Sequence, residues 1–408
     1  IDKSFAVSPQ LFVNDVKAAA EQGFGSVICN RPDGEEQGQP TAEEIESAAK
    51  EAGLGFAHIP VSPRELGDLQ VEEMRTALTR LPGPVIAYCR SGARSTKIHA
   101  LATDGNEAVI SAPDRDFNIV IVGGGSAGIA TAASIFKRNR KVSLAIIEPS
   151  AEHFYQPGWT MVGGGVFDPE TTSKTMGSLI PHGVHWIKSA VAAFEPQNNA
   201  VVLDGCRVVK YDRLIVCPGI KLDWNKIEGL VDTLGQNGVS SNYRYDLAPY
   251  TWKLVEKLKQ GRAIFTQPAM PIKCAGAPQK AMYLSGDAWH RRGVLKNIDI
   301  QFNNAGGVLF GVKDYVPALM EYVEKYDASL NFFHNLVAVD GPAKKAWFDV
   351  ATPEAAPKRV EMDFDMMHVC PPQTAPDFIR VSPLADAAGW VDVDQATLRH
   401  KAYDNIWS

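Results

Sequence analysis

The hydrophobic pattern of the chain is clearest between residues 117 and 148. The β-branched run Ile119–Val122 is apolar at every position, which is typical of a strand buried on both faces of a parallel sheet. A glycine-rich turn and a run of small residues follow and predict a helix, and Lys141–Ile147 predicts a second strand. The pattern therefore predicts a β–α–β unit whose second strand ends at an acid, Glu148.

Shorter runs predict a separate small α/β domain in residues 1–103. Thr41 and Glu44, three residues apart, form a capping box at the start of one of its helices. The predicted helices are Leu11–Gln22, one after Thr41, Val71–Leu81 and one from Thr96; the predicted strands are Ser26–Asn30, Phe56–Pro60 and Pro84–Cys89. Turn-forming residues then predict a linker over residues 104–116.

The turn of the β–α–β unit has the spacing of a dinucleotide-binding site, Gly123-x-Gly125-x-x-Gly128. Such glycines permit the tight turn, the approach of a pyrophosphate and the close packing of helix on strand. Unpaired N–H groups at the helix start attract phosphates. We therefore predict a dinucleotide site, which the family resemblance given below implies is for FAD, with Glu148 placed to bind the ribose hydroxyls. It comprises Gly123, Gly125, Ser126, Ala127, Gly128 and Glu148.

The loop Cys89-Arg-Ser-Gly-Ala-Arg94-Ser follows a buried strand and precedes a helix. Backbone N–H groups, Arg90 and Arg94 would form an anion cradle and favour a thiolate at Cys89. Phosphatases need five residues between such a cysteine and its arginine, and here there are four, which favours sulfur transfer. With Asn30-Arg-Pro-Asp-Gly-Glu, the loop makes the stretch from about Phe5 to Ala102 resemble the phosphatase-fold (rhodanese-like) sulfur-transferase family.

A second candidate nucleophile, Cys274, follows the predicted strand Arg262–Thr266. Related flavoproteins often place a second, nicotinamide-binding glycine motif there, but this chain has no such motif. Prolines and the segment Ile272-Lys-Cys-Ala-Gly-Ala-Pro-Gln-Lys280 take its place. Lys273, Lys280 and a helix start would favour a thiolate at Cys274. The sequence therefore predicts sulfur chemistry where a nicotinamide would bind.

These elements predict an α/β protein with an N-terminal phosphatase-like domain followed by two Rossmann-like domains. The predicted FAD-binding domain comprises residues 117–227 and 339–408. The second Rossmann-like domain comprises residues 228–338 and carries the redox cysteine Cys274.

Composition narrows the classes of protein further. The net charge of −6 argues against a nucleic-acid binder. Six cysteines without a CxxC pair indicate a reduced compartment with one or two reactive thiols. The pair His182 and His185 has no other ligand candidates nearby, so we predict no metal site. Residues 118–136 carry almost no charge, but their glycines indicate a strand and a helix rather than a membrane span.

Four segments from about Asn118 to Ile406 resemble the sulfide:quinone oxidoreductase family of the mitochondrial type. They are His153-Phe-Tyr-Gln-Pro-Gly-Trp-Thr, the Cys274 segment, Phe310-Gly-Val-Lys-x-Tyr and Ser382-Pro-Leu-Ala-Asp-Ala-Ala-Gly-Trp-Val-Asp-Val-Asp. The resemblance implies FAD, two redox cysteines of which one matches Cys274, and electron transfer to a quinone. It extends the predicted FAD site to Gln156, Val191 and Gly219, and it places Pro371-Pro-Gln and Phe378 where the quinone pocket begins.

Members of the family continue after the position that corresponds to Ser408. There they carry a Gly-Asp segment that holds the flavin, then the second redox cysteine, and then membrane-binding helices. We therefore expect a longer protein that contacts the membrane through its tail. Cys370 could substitute for the second cysteine, although we interpret it, with Cys29, Cys206 and Cys217, as structural.

Three functions remain open. The first is sulfide oxidation with FAD and quinone, with Cys89 passing the sulfur to an acceptor such as glutathione or sulfite. The second is a sulfurtransferase or phosphatase-like protein with a degenerate flavoprotein body. The third is an NADH:quinone oxidoreductase, which the missing second glycine motif disfavours. For the first we expect a peripheral location on a bacterial inner membrane facing the cytoplasm, or on the mitochondrial inner membrane.

Overall fold

The computed structural model describes residues 5–36, 38–61, 68–103, 115–204, 207–352 and 356–408. Their contacts divide the chain into two compact units. The first unit comprises residues 1–151, 180–219 and 375–408, and the second comprises residues 152–179 and 220–374. Cys206 and most of the predicted linker, residues 104–114, lie outside the described residues.

Helices and strands alternate along most of the described chain. The strands are β1 (Phe5–Ser8), β2 (Ser26–Cys29), β3 (Gly55–His58), β4 (Val85–Tyr88), β5 (Arg115–Val122), β6 (Leu144–Ile147), β7 (Glu152–Phe154), β8 (Ser173–Thr175), β9 (His185–Ile187), β10 (Val191–Glu195), β11 (Ala200–Leu203), β12 (Val208–Val216), β13 (Lys221–Leu222), β14 (Val239–Ser240), β15 (Gly261–Gln267), β16 (Ile298–Asn304), β17 (Ala328–Phe332), β18 (His334–Asp340), β19 (Lys345–Val350), β20 (Lys358–Asp363), β21 (Met366–His368), β22 (Gln373–Thr374) and β23 (Ile406–Trp407). The helices are α1 (Val13–Glu21), α2 (Ala42–Glu51), α3 (Asp68–Arg80), α4 (Ala93–Thr103), α5 (Ser126–Arg138), α6 (Gln156–Gly163), α7 (Met176–Leu179), α8 (Leu230–Thr233), α9 (Ala248–Lys257), α10 (Gly276–Arg291), α11 (Val316–Lys325) and α12 (Asp377–Arg380).

The first unit contains two sheets. A four-stranded parallel sheet has the order β1-β4-β2-β3 and carries the predicted small domain. The Thr41 capping box is present, because Thr41 Oγ1 accepts a hydrogen bond from the Glu44 N–H and the Glu44 carboxylate accepts one from the Thr41 N–H. The helix after the Cys89 loop begins at Ala93, three residues before the predicted start at Thr96.

The second sheet of this unit has the order β10-β11-β12-β5-β6-β9, and β23 pairs in parallel with the end of β12. Strands β12, β5, β6 and β9 are parallel. Val120, Val122, Ile147 and Leu214 are almost completely buried in one cluster, as apolar runs covered on both faces should be. The carboxyl ends of β5 and β6, where the glycine turn and Glu148 stand, therefore lie side by side.

The second unit is built on a parallel sheet of order β14-β21-β15-β16-β17. Phe265, Phe302 and Trp289 form its buried core between the sheet and α10. An antiparallel sheet, β18-β19-β20, packs through Phe348 into a second cluster. Two doubly wound parallel sheets confirm the predicted fold class.

The contact-based division differs from the predicted boundaries in two segments. Residues 339–374 were expected in the FAD-binding domain, but β21 lies between β14 and β15 in the sheet of the second unit. Residues 152–179 also belong to the second unit. A buried strand of three residues such as β21 gives no signal in sequence of which sheet it joins. The other predicted boundaries remain predictions.

Candidate active site

The predicted FAD-binding glycines lie in the turn between β5 and α5. Gly123 has a φ of 104°, and a Cβ atom there would lie 2.1 Å from the Cys217 carbonyl oxygen. A Cβ atom at Gly128 would lie 1.9 Å from the Gly123 carbonyl oxygen. These two glycines are required by the turn itself. Gly125 differs, because no atom lies within 4 Å of a Cβ built there.

Glu148 reaches the same turn from the end of β6. Its Oε2 accepts a hydrogen bond from the Gly124 N–H at 2.8 Å, and its Oε1 accepts one from the Ser150 N–H at 2.8 Å. Ser126 and Ala127 form the first turn of α5, where the N-cap Gly125 supplies no side-chain cap. An open glycine, uncapped N–H groups and an adjacent carboxylate fit the adenosine diphosphate half of FAD.

The three remaining predicted FAD contacts are distributed over both units. In the first unit, Gly219 has a φ of 77° with open space beside its Cα, and Val191 opens β10 and packs against the core. Gln156 lies in the second unit. Aromatic, glycine and proline residues crowd the segment around it without a helical or strand period, which predicts a loop. That prediction is wrong, because α6 spans Gln156–Gly163. Pro157 is compatible with the first helical turn, because a backbone N–H there has no partner within the helix and proline, which has none, loses no hydrogen bond.

Cys89 lies in the first unit at the end of β4 and is completely buried. Its Sγ accepts a hydrogen bond from the Gly92 N–H at 3.1 Å. The Gly92 φ of 90° turns that N–H group inward. An N–H donor aimed at the sulfur is the kind of contact that the sequence predicts for this loop, and the thiolate itself stays a prediction.

Arg94 joins the Cys89 loop to Glu35. Its guanidinium donates two hydrogen bonds to the Glu35 carboxylate, at 2.6 and 2.8 Å, and a third to the Val61 carbonyl oxygen at 2.7 Å. It also hydrogen-bonds the Cys89 thiol. Burial lowers the pKa of Arg94, but the Glu35 hydrogen bond and the Cys89 charge raise it by more. Arg94 is therefore a cation at every relevant pH.

Arg90 points in a different direction. Its guanidinium pairs with the Asp377 carboxylate at 3.3 Å, at the start of α12 in the same unit. A second ion pair, between Lys97 and Glu195 at 3.2 Å, joins α4 to the end of β10. The predicted pair of cradle arginines is thus separated. Arg94 faces the thiol, and Arg90 connects the loop to α12.

Cys274 lies in the second unit, two residues before α10, and its side chain is exposed. Its φ is 61°, in the left-handed region that residues with a Cβ rarely adopt. Its carbonyl oxygen accepts a hydrogen bond from the Ala277 N–H at 2.9 Å, which connects the cysteine to the first helical turn. The predicted position beside a helix start is therefore observed.

Lys273 is held from two sides by glutamines. Its backbone N–H donates to Gln373 Oε1 at 2.5 Å, and its Nζ donates to Gln156 Oε1. Burial lowers the pKa of Lys273, and the Cys274 thiol acts in the opposite direction. Lys273 therefore lies close enough to Cys274 for their charges to interact, while the thiolate predicted at Cys274 stays a prediction.

Cys370 is buried close to this segment. Its Sγ lies 3.9 Å from Gln373 Nε2 and also interacts with the Tyr243 hydroxyl. Burial raises the pKa of Cys370 to about 12, although these two hydrogen bonds act against the shift, and the Cys274 charge adds to it. Cys370 therefore keeps its proton at neutral pH, unlike a resting nucleophile.

Two other cysteines have the environments of structural residues. Cys29 is buried at the end of β2, and Cys217 is half-buried after β12. Burial raises the pKa of both thiols. Our sequence reasoning gave Glu35 and Tyr243 no role, and it placed Gln373 at the start of the quinone pocket rather than beside Lys273. Glu35 and Gln373 lie in segments quoted for their resemblance, but their partners lie 59 and 100 residues away.

In the described part of the chain, no group of three or more His, Cys, Asp or Glu side chains could hold a metal ion. Among the same residues, no helix is both long and apolar enough to cross a membrane.

The predicted quinone-pocket residues are in different units. Gln373 contacts Lys273 in the second unit, and Phe378 stacks on Phe194 in the first, with ring centroids 6.0 Å apart.

Comparison with known proteins separates the N-terminal domain from the rest. Residues 1–106 match the family model described as beta-lactamase hydrolase-like protein, phosphatase-like domain. The mitochondrial sulfide:quinone oxidoreductase of Mus musculus is 40% identical over 71% of this chain and 64% of its own length. The Schizosaccharomyces pombe counterpart is 34% identical over 71% of this chain and 67% of its own length.

A solved structure shares the fold. The sulfide:quinone oxidoreductase of Aquifex aeolicus superimposes with a TM-score of 0.62 at 18% identity, covering 71% of this chain and 67% of that one. The two Rossmann-like sheets and the glycine turn define a protein with the fold of the two-dinucleotide-binding-domain class. More particularly, the chain belongs to the sulfide:quinone oxidoreductase family. It spans 64% of the length of the mouse relative.

Proposed function

We propose that this protein oxidises sulfide to sulfane sulfur and that the electrons reach a quinone. One sulfide and the Cys274 thiolate form a persulfide, with release of one proton and two electrons. The quinone takes up those two electrons and two protons to become a quinol. FAD, when bound, supplies the two-electron acceptor between sulfur and quinone. The observation that carries the proposal is Cys274, an exposed thiol beside a helix start in a chain of this family.

The residues of the chain have separate roles in this proposal. Gly125, the first turn of α5 and Glu148 bind the adenosine diphosphate half of FAD. Lys273 places a positive charge near the Cys274 thiol. That charge would stabilise an anionic sulfur, whether it belongs to Cys274 or to the incoming sulfide. Val191 and Gly219, in the same unit as Glu148, complete the proposed contacts to FAD.

Cys89 receives the product sulfur in the second half of the proposal. The terminal sulfur of the Cys274 persulfide transfers to the Cys89 thiolate, which restores the Cys274 thiolate and leaves a persulfide on Cys89. Sulfite or a small thiol such as glutathione then accepts that sulfur and restores Cys89. The Gly92 N–H and the Arg94 guanidinium would stabilise the anionic persulfide. Fusing two sulfur-binding sites in one chain gives an effective concentration on the order of millimolar.

The test is anaerobic addition of sulfide to the purified FAD-bound protein while the flavin absorbance is followed. Wild-type protein and the Cys217→Ser control should bleach, and Cys274→Ser should not. Full bleaching of Cys274→Ser would refute the role of Cys274. Addition of NADH instead of sulfide tests the third hypothesis, since bleaching by NADH would indicate a nicotinamide site.

A second candidate function is sulfur transfer without flavin chemistry. The buried Cys89 loop and the phosphatase-like family model over residues 1–106 favour it. Protein that holds no flavin, but transfers sulfur from thiosulfate to cyanide in a Cys89-dependent way, would support this alternative.

We further propose peripheral contact with a membrane that contains the quinone, and flotation with quinone-containing vesicles tests that contact.

A further inference from the structure

The peptide that precedes Cys274 is held by a side chain distant in sequence. Gln373 accepts the Lys273 N–H at 2.5 Å, and its own side chain is only 9% exposed. Its backbone is fixed in turn, because β22 pairs with β13 and sets Gln373 opposite Leu222. The hydrogen bond is therefore made from a rigid element to the residue just before the thiol.

Cys274 adopts a backbone conformation that needs such support. A left-handed φ of 61° brings the Cβ close to the following carbonyl oxygen and is disfavoured for every residue except glycine. Strained residues of this kind persist only where the surrounding structure holds them. Gln373 holds the N–H of the preceding residue, and the Ala277 N–H holds the Cys274 carbonyl oxygen. The strained residue is thus fixed on both sides.

The same glutamine also faces the second thiol of this unit. Its Nε2 lies 3.9 Å from Cys370 Sγ, which is buried. The Tyr243 hydroxyl contacts Cys370 and approaches the Lys273 carbonyl oxygen at the long distance of 3.5 Å. A single buried amide thus connects the Cys274 segment to Cys370.

We propose that Gln373 is a positioning residue for Cys274. It holds the Lys273 peptide so that Cys274 keeps its left-handed conformation and presents its thiol to solvent. This inference rests on the proposed role of Cys274 in sulfide oxidation. Gln373 touches no reacting atom in the proposal, and its effect on chemistry passes through the geometry of the cysteine.

The first test compares glycine and alanine at position 274. In the otherwise wild-type chain, Cys274→Gly should melt about 2–4 °C above Cys274→Ala, because glycine adopts a positive φ without strain. In a Gln373→Leu background the segment can relax, so that advantage should disappear. Gln373→Glu retains an oxygen that can accept the Lys273 N–H, so in that background Cys274→Gly should again melt above Cys274→Ala. Leu398, which has a φ of 58° in the other unit, is the control. The difference in melting temperature between Leu398→Gly and Leu398→Ala should be the same with Gln373 and with Gln373→Leu.

The second test measures sulfide-dependent flavin bleaching in the same variants with Cys274 intact. Gln373→Leu should slow the limiting rate about tenfold or more, because a misplaced nucleophile reacts slowly, and Gln373→Glu should recover most of it. A glycine advantage that persists in Gln373→Leu would overturn the positioning role. So would an unchanged bleaching rate in that variant. Bleaching that survives Cys274→Ser would instead refute the proposed function, while the melting comparison would still decide the role of Gln373.

Discussion

Arg94 and Glu35 form a two-pronged ion pair, with nitrogen–oxygen distances of 2.6 and 2.8 Å, between the Cys89 loop and the segment after β2. The Glu35 side chain is 9% exposed and also accepts a hydrogen bond from Arg31 at 3.0 Å. One buried carboxylate thus pairs with two arginines, of which Arg31 also pairs with Glu36. Removing Glu35 takes the ion-pair partner of the mostly buried Arg94 and one of two from Arg31.

Glu35→Ala should therefore destabilise the protein by about 3 kcal/mol, the usual cost of breaking a buried pair from one side. Denaturant unfolding of the full chain measures this, and Cys89-dependent sulfur transfer should fall with it. Glu36→Ala is the matched control. Glu36 pairs with Arg31, its side chain is 33% exposed, and its loss should cost less than about 1 kcal/mol. Equal losses in the two variants would contradict the central place of Glu35.

The glycine turn allows folding to be separated from cofactor binding. Gly125→Ala introduces a Cβ into open space at an ordinary φ of −72°, so the protein should fold with nearly unchanged stability but bind FAD at least tenfold more weakly. Gly128→Ala places a Cβ 1.9 Å from a carbonyl oxygen and should destabilise the turn itself. Fluorescence titration with FAD and thermal melts of both variants test this. Wild-type FAD affinity in Gly125→Ala would exclude the proposed phosphate position.

The glycine turn could be predicted because all of its parts lie within one contiguous β–α–β unit. Gly123, Gly128 and Glu148 meet through local geometry that the spacing already determines. The two thiol sites differ in this respect. The contacts of Arg94 with Glu35 and of Lys273 with Gln373 join residues 59 and 100 positions apart. A single sequence contains no periodic signal for such pairs.

One local prediction failed and one local feature was not predicted, each for an identifiable reason. The segment at Gln156 was predicted as a loop because glycine and proline are poor helix formers, but Trp159 and Val162 are buried in the second unit. Tertiary packing therefore outweighs propensity in α6. The left-handed conformation of Cys274 gave no signal, because sequence patterns associate positive φ with glycine or asparagine rather than cysteine.

His368 makes the second unit sensitive to acid. It is completely buried, and its Nε2 accepts the Asn242 N–H at 3.0 Å, which requires a neutral ring. Burial lowers the pKa of His368 from 6.5 to about 4. The unfolded chain therefore binds a proton between these values and the folded chain does not. The contribution of neutral His368 to the free energy of unfolding is therefore fully present above pH 6.5. It is lost as the pH falls to about 4, and the loss is about 3 kcal/mol.

His368→Gln should remove that part of the pH dependence, since the glutamine amide can accept the same hydrogen bond without titrating. Denaturant unfolding at pH 7, 6, 5 and 4 measures the slope. His290→Gln, on exposed helix surface, is the control and should retain the wild-type slope. The same slope in wild type and His368→Gln would show that other groups cause the acid sensitivity.

Cys370 should have the opposite effect at alkaline pH. Burial raises its pKa to about 12 from an unfolded value of 9.0, so the folded chain keeps a proton that the unfolded chain loses. Its contribution to stability is complete below pH 9 and is lost as the pH rises toward 12, at about 1.4 kcal/mol per pH unit. Between pH 9 and 10, wild-type protein should therefore lose stability faster than Cys370→Ala. The pKa of Tyr243 is raised chiefly by burial, which is present in both proteins, and in smaller part by Cys370 itself, so the comparison reports Cys370 together with its effect on Tyr243. Iodoacetamide at pH 8 gives a second measurement, because the exposed Cys274 should be alkylated in folded protein while Cys370 is protected until unfolding. Alkylation of Cys370 at the rate of Cys274 would mean that its thiol is open to solvent, and the burial on which its raised pKa depends would then be disproved.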